Sequence, residues 1–302
     1  MDDGSLLAER GVRWFCQHHA VVGDGSLLAE RSVGGSNVAA MTAKLLVVGG
    51  GKMGEALVAG LVASGWAEAS KIAVVERLAE RRAELADRLP GVVVVERAVP
   101  ADGVVLAVKP QDVTTACDEL DDPARVLSIA AGVTLATLEA ALPAGTAVVR
   151  AMPNTPATVG AGAAAVAAGS SATDADLDWA DTILSAVGIT VRVPETQLDA
   201  VTGLSGSGPA FVFLVAEAML EAGAAVGLPD DVTLALVNQT LLGASRLLTE
   251  TDTGAEALRI AVTSPNGTTA AGLAVLDAAG VRAAFVDAVT AATERSKELG
   301  RA

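Results

Sequence analysis

The stretch SPNGTT at residues 264–269 places three hydroxyls, from Ser264, Thr268 and Thr269, around a Pro265-Asn266-Gly267 break between two helical patterns. A helix that starts after such a break exposes backbone N–H groups without intrahelical partners, and these bind carboxylates and other anions. An ordinary N-cap turn is built from the same residue types. Other reactive side chains are scarce. His18, His19 and Cys16 fall in the first 40 residues, Cys117 is the one thiol beyond them, and the chain has no tyrosine. From Met41 onward, Ser–His and Cys–His triads and histidine zinc sites are therefore excluded. Chemistry must run on backbone amides, hydroxyls, Lys, Arg, Asp or Glu, or on a borrowed cofactor.

The run Gly49-Gly50-Gly51-Lys52-Met53-Gly54 is a G-x-G-x-x-G between an apolar strand pattern at 44–48 and a helical pattern reaching 63. In that context Gly49 permits a tight turn, Gly51 lets backbone approach a pyrophosphate, and Gly54 lets the helix pack closely on the strand. A second strand pattern, 72–75, ends in Glu76, where an acid accepts from a ribose 2′-hydroxyl and favours NADH. Arg77, Arg81 and Arg82 follow at once and could clamp a 2′-phosphate, favouring NADPH, or simply form a solvated helix face. The residues leave the choice between NADH and NADPH open.

Those motifs need elements to hold them. Strand patterns recur at 92–95, 103–108, 125–130 and 146–151, with helical patterns at 111–119 and 134–141. Such alternation predicts an α/β doubly wound (Rossmann-type) domain, with Lys109, Gly132 and Asn154 at strand ends where ligands bind. From about 196 the pattern turns helical, at 208–226, 229–249, 253–262, 268–279 and 280–299. The first of these is apolar nearly all round, so a partner chain is expected to cover it. The expected division is an extension at 1–40, a dinucleotide-binding domain at 42–195 and an all-α dimerisation and substrate-binding domain at 196–302.

Residues 1–40 read differently. DGSLLAER occurs at 3–10 and again at 24–31, and CQHH lacks the other ligands of a metal site. The segment has no signal-peptide pattern, and a disordered or loosely attached upstream extension is expected. The whole chain has 302 residues, 51% hydrophobic, with mean hydropathy +0.48, yet no run of 18 apolar residues that would predict a membrane span. Its formal charge of −15 argues against nucleic acid or an anionic membrane as partner. Only five lysines are present, a composition expected of a halophilic source or of a GC-rich genome. Two cysteines without motif spacing suggest a reducing, cytoplasmic compartment.

Six stretches, VVGGGKMGEAL, LAVKPQ, SIAAGV, RAMPNTPA, LSGSGPAF and VTSPNGTTAAGL, occur in the order and spacing of the pyrroline-5-carboxylate reductases, and the chain resembles that family over 44–300. The resemblance implies reduction of 1-pyrroline-5-carboxylate to L-proline by NADPH or NADH, the last step of proline biosynthesis, by a homodimer with interleaved helices or a ring of such dimers. It implies cofactor binding by Gly49, Gly51, Lys52, Met53, Gly54, Glu76, Arg77, Ala107, Val108, Lys109, Pro110, Gly132 and Asn154. It further implies a substrate loop of Asn266, Gly267, Thr268 and Thr269, with Thr269 and Ser264 as catalytic residues and no metal. Hydride addition to a protonated imine suits a chain that has no histidine from Met41 onward, because the cofactor carries the difficult step. Asn266 stands where the family usually has glycine, a position Asn tolerates in left-handed backbone. TETDTGAEALR departs from members that carry His-Pro. The alternatives are another imine or ketone reductase of this architecture, a deazaflavin-dependent oxidoreductase, or a non-catalytic nicotinamide sensor.

Overall fold

The structure is a computed structural model that describes residues 42–300. The extension expected at 1–40, with its duplicated octapeptide and CQHH, lies outside the described residues. Eight strands form one sheet in the order β3-β2-β1-β4-β5-β6-β7-β8. They are β1 Leu45–Val48, β2 Ile72–Val75, β3 Val93–Val95, β4 Val104–Leu106, β5 Arg125–Ser128, β6 Ala147–Met152, β7 Gly162–Ala168 and β8 Gly188–Arg192. The helices α1 Lys52–Ala63, α2 Ala79–Arg88, α3 Val113–Asp118, α4 Leu135–Ala140 and α5 Asp174–Leu184 connect them.

Alternation along each strand divides the core in two. Leu45 and Val47 join α1 residues Leu57, Val58 and Leu61 on one face, while Leu46 and Val48 join Val113 and Leu138 on the other. Because both faces are covered, the strands read as unbroken apolar runs. Val47 sits opposite Val74 of β2 and Val105 of β4, so the chain reverses its winding direction at β1. The crevice at the carboxyl ends of β1 and β4 is the ligand position of such sheets.

The last part of the sheet is not a simple continuation. β7 runs antiparallel to β6, and β8 pairs parallel to β7. β7 reads GAAAVAA, with neither polar alternation nor more than one β-branched residue, and is held by burial and pairing on both sides.

Helices follow: α6 Leu198–Val201, a π-helical turn at Thr202–Gly206, α7 Gly208–Ala225, α8 Asp230–Glu250, α9 Ala255–Ala261, α10 Thr268–Ala278 and α11 Val281–Leu299. The π turn crosses α11 so closely that a Cβ on Gly203 would lie 2.3 Å from Thr293 Oγ1 and 2.8 Å from the Val289 carbonyl. Ser296 of α11 donates to Asp199 Oδ1 at 2.6 Å, tying the last helix to α6. In α7, Val212, Phe213 and Leu214 are 52, 62 and 63% exposed, and Gly223 is the one buried residue. The run Glu195–Ala225, with hydropathy 1.4, is by length and composition apolar enough to cross a bilayer, although no such run was expected. A contiguous apolar face of this size marks an interaction surface.

Candidate active site

At the end of β1, Gly49 adopts φ +113°, and a Cβ there would lie 2.6 Å from the Ala107 carbonyl oxygen. Only glycine fits. Gly54 approaches the same turn, with its absent Cβ 2.1 Å from the Gly49 oxygen, so α1 starts hard against the strand end. Gly51 is the opposite case: it caps α1 with φ −67°, and nothing lies within 4 Å of a Cβ built on it. The first bond into α1 runs from Glu55 N to Gly51 O at 2.9 Å, leaving the N–H groups of Lys52, Met53 and Gly54 without a partner among the described residues. An uncapped helix start facing open space suits a phosphate.

The loop is braced by an arginine. Arg81 Nε donates to Gly50 O at 2.9 Å, while its other nitrogens pair with Glu84 at 2.8 Å and Glu55 at 2.5 Å. The hydrogen bonds that Arg81 donates to Glu84, then to Glu55, raise its pKa further above the ordinary value. Arg88 adds a second contact to Glu55, at 2.6 Å.

Gly49, Gly51, Glu76, Arg77, Ala107, Val108 and Lys109 all line one cleft of about 380 Å³. Glu76 Oε1 accepts from Leu78 N at 2.9 Å, and its Oε2 lies beside Gly50. Arg82 donates to the carbonyls of Glu76 and Arg77 at 2.9 and 2.7 Å. Of the three arginines after β2, only Arg77 lines this cleft, paired with Glu119 at 2.7 Å. Lys52 borders a neighbouring groove with Gly51, Arg81 and Arg88, and Met53 packs toward the core.

Gln111 also borders a second cavity of about 700 Å³, whose walls include Pro110, Gly132, Thr202, Ser207, Arg295 and Ser296. Gly132 sits at φ +79° in the β5–α4 loop. Glu195 Oε1 steadies that loop by accepting from Leu135 N at 2.7 Å and from buried Arg150 at 2.8 Å.

Asn154 differs from expectation. Its Nδ2 donates to the backbone and side-chain oxygens of Ser205 at 3.2 and 3.3 Å, and its Oδ1 accepts from Ala163 N at 2.9 Å. With both ends of the amide committed to protein groups, it lines neither cavity and instead ties β6 and β7 to the π turn.

In the SPNGTT loop, Asn266 adopts φ +58°, the left-handed conformation its residue type allows. Gly267 N donates to Ser264 O at 3.0 Å, and a Cβ on Gly267 would lie 2.3 Å from Ser264 Oγ. α10 begins at Thr268 with no side-chain cap, and its first bond is Ala271 N to Gly267 O at 3.1 Å. Ser264, Asn266, Thr268 and Thr269 are exposed. Within one chain the loop lines neither cavity, so the expected cofactor and substrate residues form two separate groups. Among the described residues no cluster of three or more His, Cys, Asp or Glu could hold a metal ion. Sequence reading missed Arg81 as a loop brace, Glu195, Glu119, and the hydroxyls of Thr202, Ser207 and Ser296. The partners of Arg81, Glu119, Glu195 and Ser296 are distant in sequence, and no local pattern marks them.

Comparison with known proteins bears on both halves. The family description "Pyrroline-5-carboxylate reductase dimerisation" matches residues 195–299, and "NADP oxidoreductase coenzyme F420-dependent" matches 44–132. A pyrroline-5-carboxylate reductase of Methanosarcina acetivorans is 44% identical over 265 residues, covering 85% of this chain and 98% of the relative. That of Mycobacterium tuberculosis is 42% identical over 286 residues, covering 85% and 97%. The Coxiella burnetii enzyme structure superposes with TM-score 0.81 at 38% identity, covering 86% of this chain and 99% of that one. The Plasmodium falciparum structure, with NADP bound, gives TM-score 0.74 at 27% identity, covering 85% and 98%.

Proposed function

The chain belongs to the pyrroline-5-carboxylate reductase family, and from that premise we propose that it reduces 1-pyrroline-5-carboxylate to L-proline with NADPH or NADH, closing proline biosynthesis. The observation that carries the reading is the presence in one chain of an open helix start at Gly51 and a second uncapped helix start at Thr268. The first suits the pyrophosphate of a dinucleotide and the second a substrate carboxylate.

The cofactor supplies hydride, and the chain supplies position and charge. Unpaired N–H groups of Lys52, Met53 and Gly54 hold phosphate, while Glu76 and Arg77 meet the adenosine ribose. Pro110 and Gly132 open onto the larger cavity, which has room for the nicotinamide and the imine ring. The α10 start holds the carboxylate, the Thr269 hydroxyl approaches the ring nitrogen and accepts from its N–H while the imine is protonated, and Ser264 keeps the loop in shape.

Because the loop lies apart from the cavities in one chain, a second copy brings it into place. The dimerisation match and the exposed α7 face support a homo-oligomer. Interleaved dimers, assembled into a ring in the cytoplasm, are the form proposed, with 42–195 as cofactor domain, 196–302 as pairing domain and 1–40 dispensable. The acidic charge of −15 is read as adaptation to a salty cytoplasm. The deciding experiment is oxidation of NADH and NADPH with and without 1-pyrroline-5-carboxylate, across a salt series. Imine-dependent oxidation is expected; its absence with both cofactors at every salt concentration rejects the reading.

A further inference from the structure

The outer end of the smaller cleft is a crowded charge environment. Glu76, Arg77 and Leu78 approach it from the β2–α2 turn, and Glu119 from the residue after α3. Arg81 is committed to Gly50, Glu55 and Glu84, and Arg82 to two backbone carbonyls and, at 3.5 Å, to Glu96. Of the arginines after β2, that leaves Arg77 as the one able to turn toward a ligand. Its NH2 is 2.7 Å from Glu119 Oε1, and the two side chains are 58 and 43% exposed. A pair so open to water is weak and exchanges partners readily. Beside it, Glu76 spends Oε1 on Leu78 N–H and keeps Oε2 next to Gly50, where no protein donor reaches it among the described residues.

We propose that Glu119 is a specificity-determining residue for the dinucleotide, acting by holding the Arg77 guanidinium away from the 2′ position of the adenosine ribose. The proposal rests on the dinucleotide reading of this cleft. A 2′-hydroxyl needs no cation, since it donates to Glu76 Oε2. A 2′-phosphate brings about −1.5 to −2 charges and requires the fork of an arginine. To supply one, Arg77 must leave Glu119, and the freed carboxylate then stands near the phosphate as a like charge. Glu119 thus penalises the phosphorylated cofactor twice, once by competition for Arg77 and once by repulsion, and leaves the unphosphorylated one nearly untouched.

The test is the ratio of kcat/KM for NADPH to that for NADH, measured on the full chain at saturating imine. Glu119→Gln raises the ratio by roughly two- to fivefold, the range expected when an exposed ion pair releases its cation. Glu119→Ala moves it the same way. Arg77→Gln lowers the ratio, and in that background the gain from Glu119→Gln shrinks or vanishes. A ratio unmoved by both Glu119 variants overturns the proposal, and so does an undiminished gain in the absence of Arg77. Direct titration of Gly51→Val with both dinucleotides separates the two levels. Undiminished binding there rejects the cleft assignment itself, whereas lost binding combined with an unmoved ratio rejects only the role of Glu119.

Discussion

The Arg81 guanidinium donates to the carbonyl oxygen of Gly50 at 2.9 Å, one residue before the open space at Gly51. A cation on that oxygen fixes the peptide plane, so the following amides keep their aim. Arg81→Ala leaves the carbonyl and Glu55 short of a partner and costs about 1–3 kcal/mol of stability. KM for NADH and NADPH should rise together, because the loop serves the phosphates common to both. A rise confined to NADPH would make Arg81 a 2′-phosphate ligand instead.

Gly51→Val should abolish dinucleotide binding while leaving the melting temperature nearly unchanged. Gly51 has φ −67° and free space in the Cβ direction, so the side chain is accommodated until a pyrophosphate is required there. Gly54→Ala is the contrasting variant, since its Cβ would meet the Gly49 carbonyl oxygen at 2.1 Å and disrupt the fold. Fluorescence titration and thermal melts distinguish the two.

Thr269→Ala should lower kcat/KM for the imine roughly 10- to 100-fold, the cost of about 1–3 kcal/mol for a lost transition-state hydrogen bond. Gly267→Val should raise KM for the imine, because its Cβ would strike Ser264 Oγ and reshape the loop. Cofactor titrations should be unchanged in both. Wild-type kinetics in the pair would reduce the loop to a helix cap.

The chain should sediment as a dimer or larger. Phe213→Asp, which puts a charge on the exposed α7 face, should dissociate it and abolish turnover, because neither cavity contains the substrate loop of its own chain. Stability should rise with salt as repulsion within a chain of charge −15 is screened. A stable, active monomer contradicts the shared site, and flat stability across salt contradicts the halophilic reading.

Burial, with a smaller contribution from Asp118, pushes the Cys117 thiol from 9.0 up to about 11. The folded chain therefore keeps its proton between those values while the unfolded chain releases it. The resulting contribution to stability is fully present below about pH 9 and lost as pH rises toward about 11. Cys117→Ala should remove that part of the alkaline decline in thermal melts; identical slopes in the two proteins would refute it.

Much of this was legible from residue order. The apolar runs of β1, β2, β4, β5 and β6 were readable because a doubly covered strand has little need of polar residues. The start of α10 at Thr268 followed from Pro265 and Gly267, and the left-handed turn at Asn266 from its side chain. The unit β7–α5–β8 was not legible, because an alanine-rich strand is specified by its neighbours rather than by its own preference. Nor were the cross-links: Arg81 reaches Gly50 across 31 residues, and Glu195 reaches Arg150 and Leu135 across 45 and 60.

Glu195 sets a rule for how this sequence can drift. One of its oxygens serves two donors, the guanidinium of Arg150 and the backbone N–H of Leu135. An arginine can be exchanged over generations, but a peptide N–H is present whatever residue occupies position 135, proline excepted. Position 150 is therefore free to change only alongside 195, whereas 195 must retain an acceptor of glutamate's reach for as long as the β5–α4 loop keeps its course. Among related chains the two positions should covary in charge while the length of the side chain at 195 stays fixed.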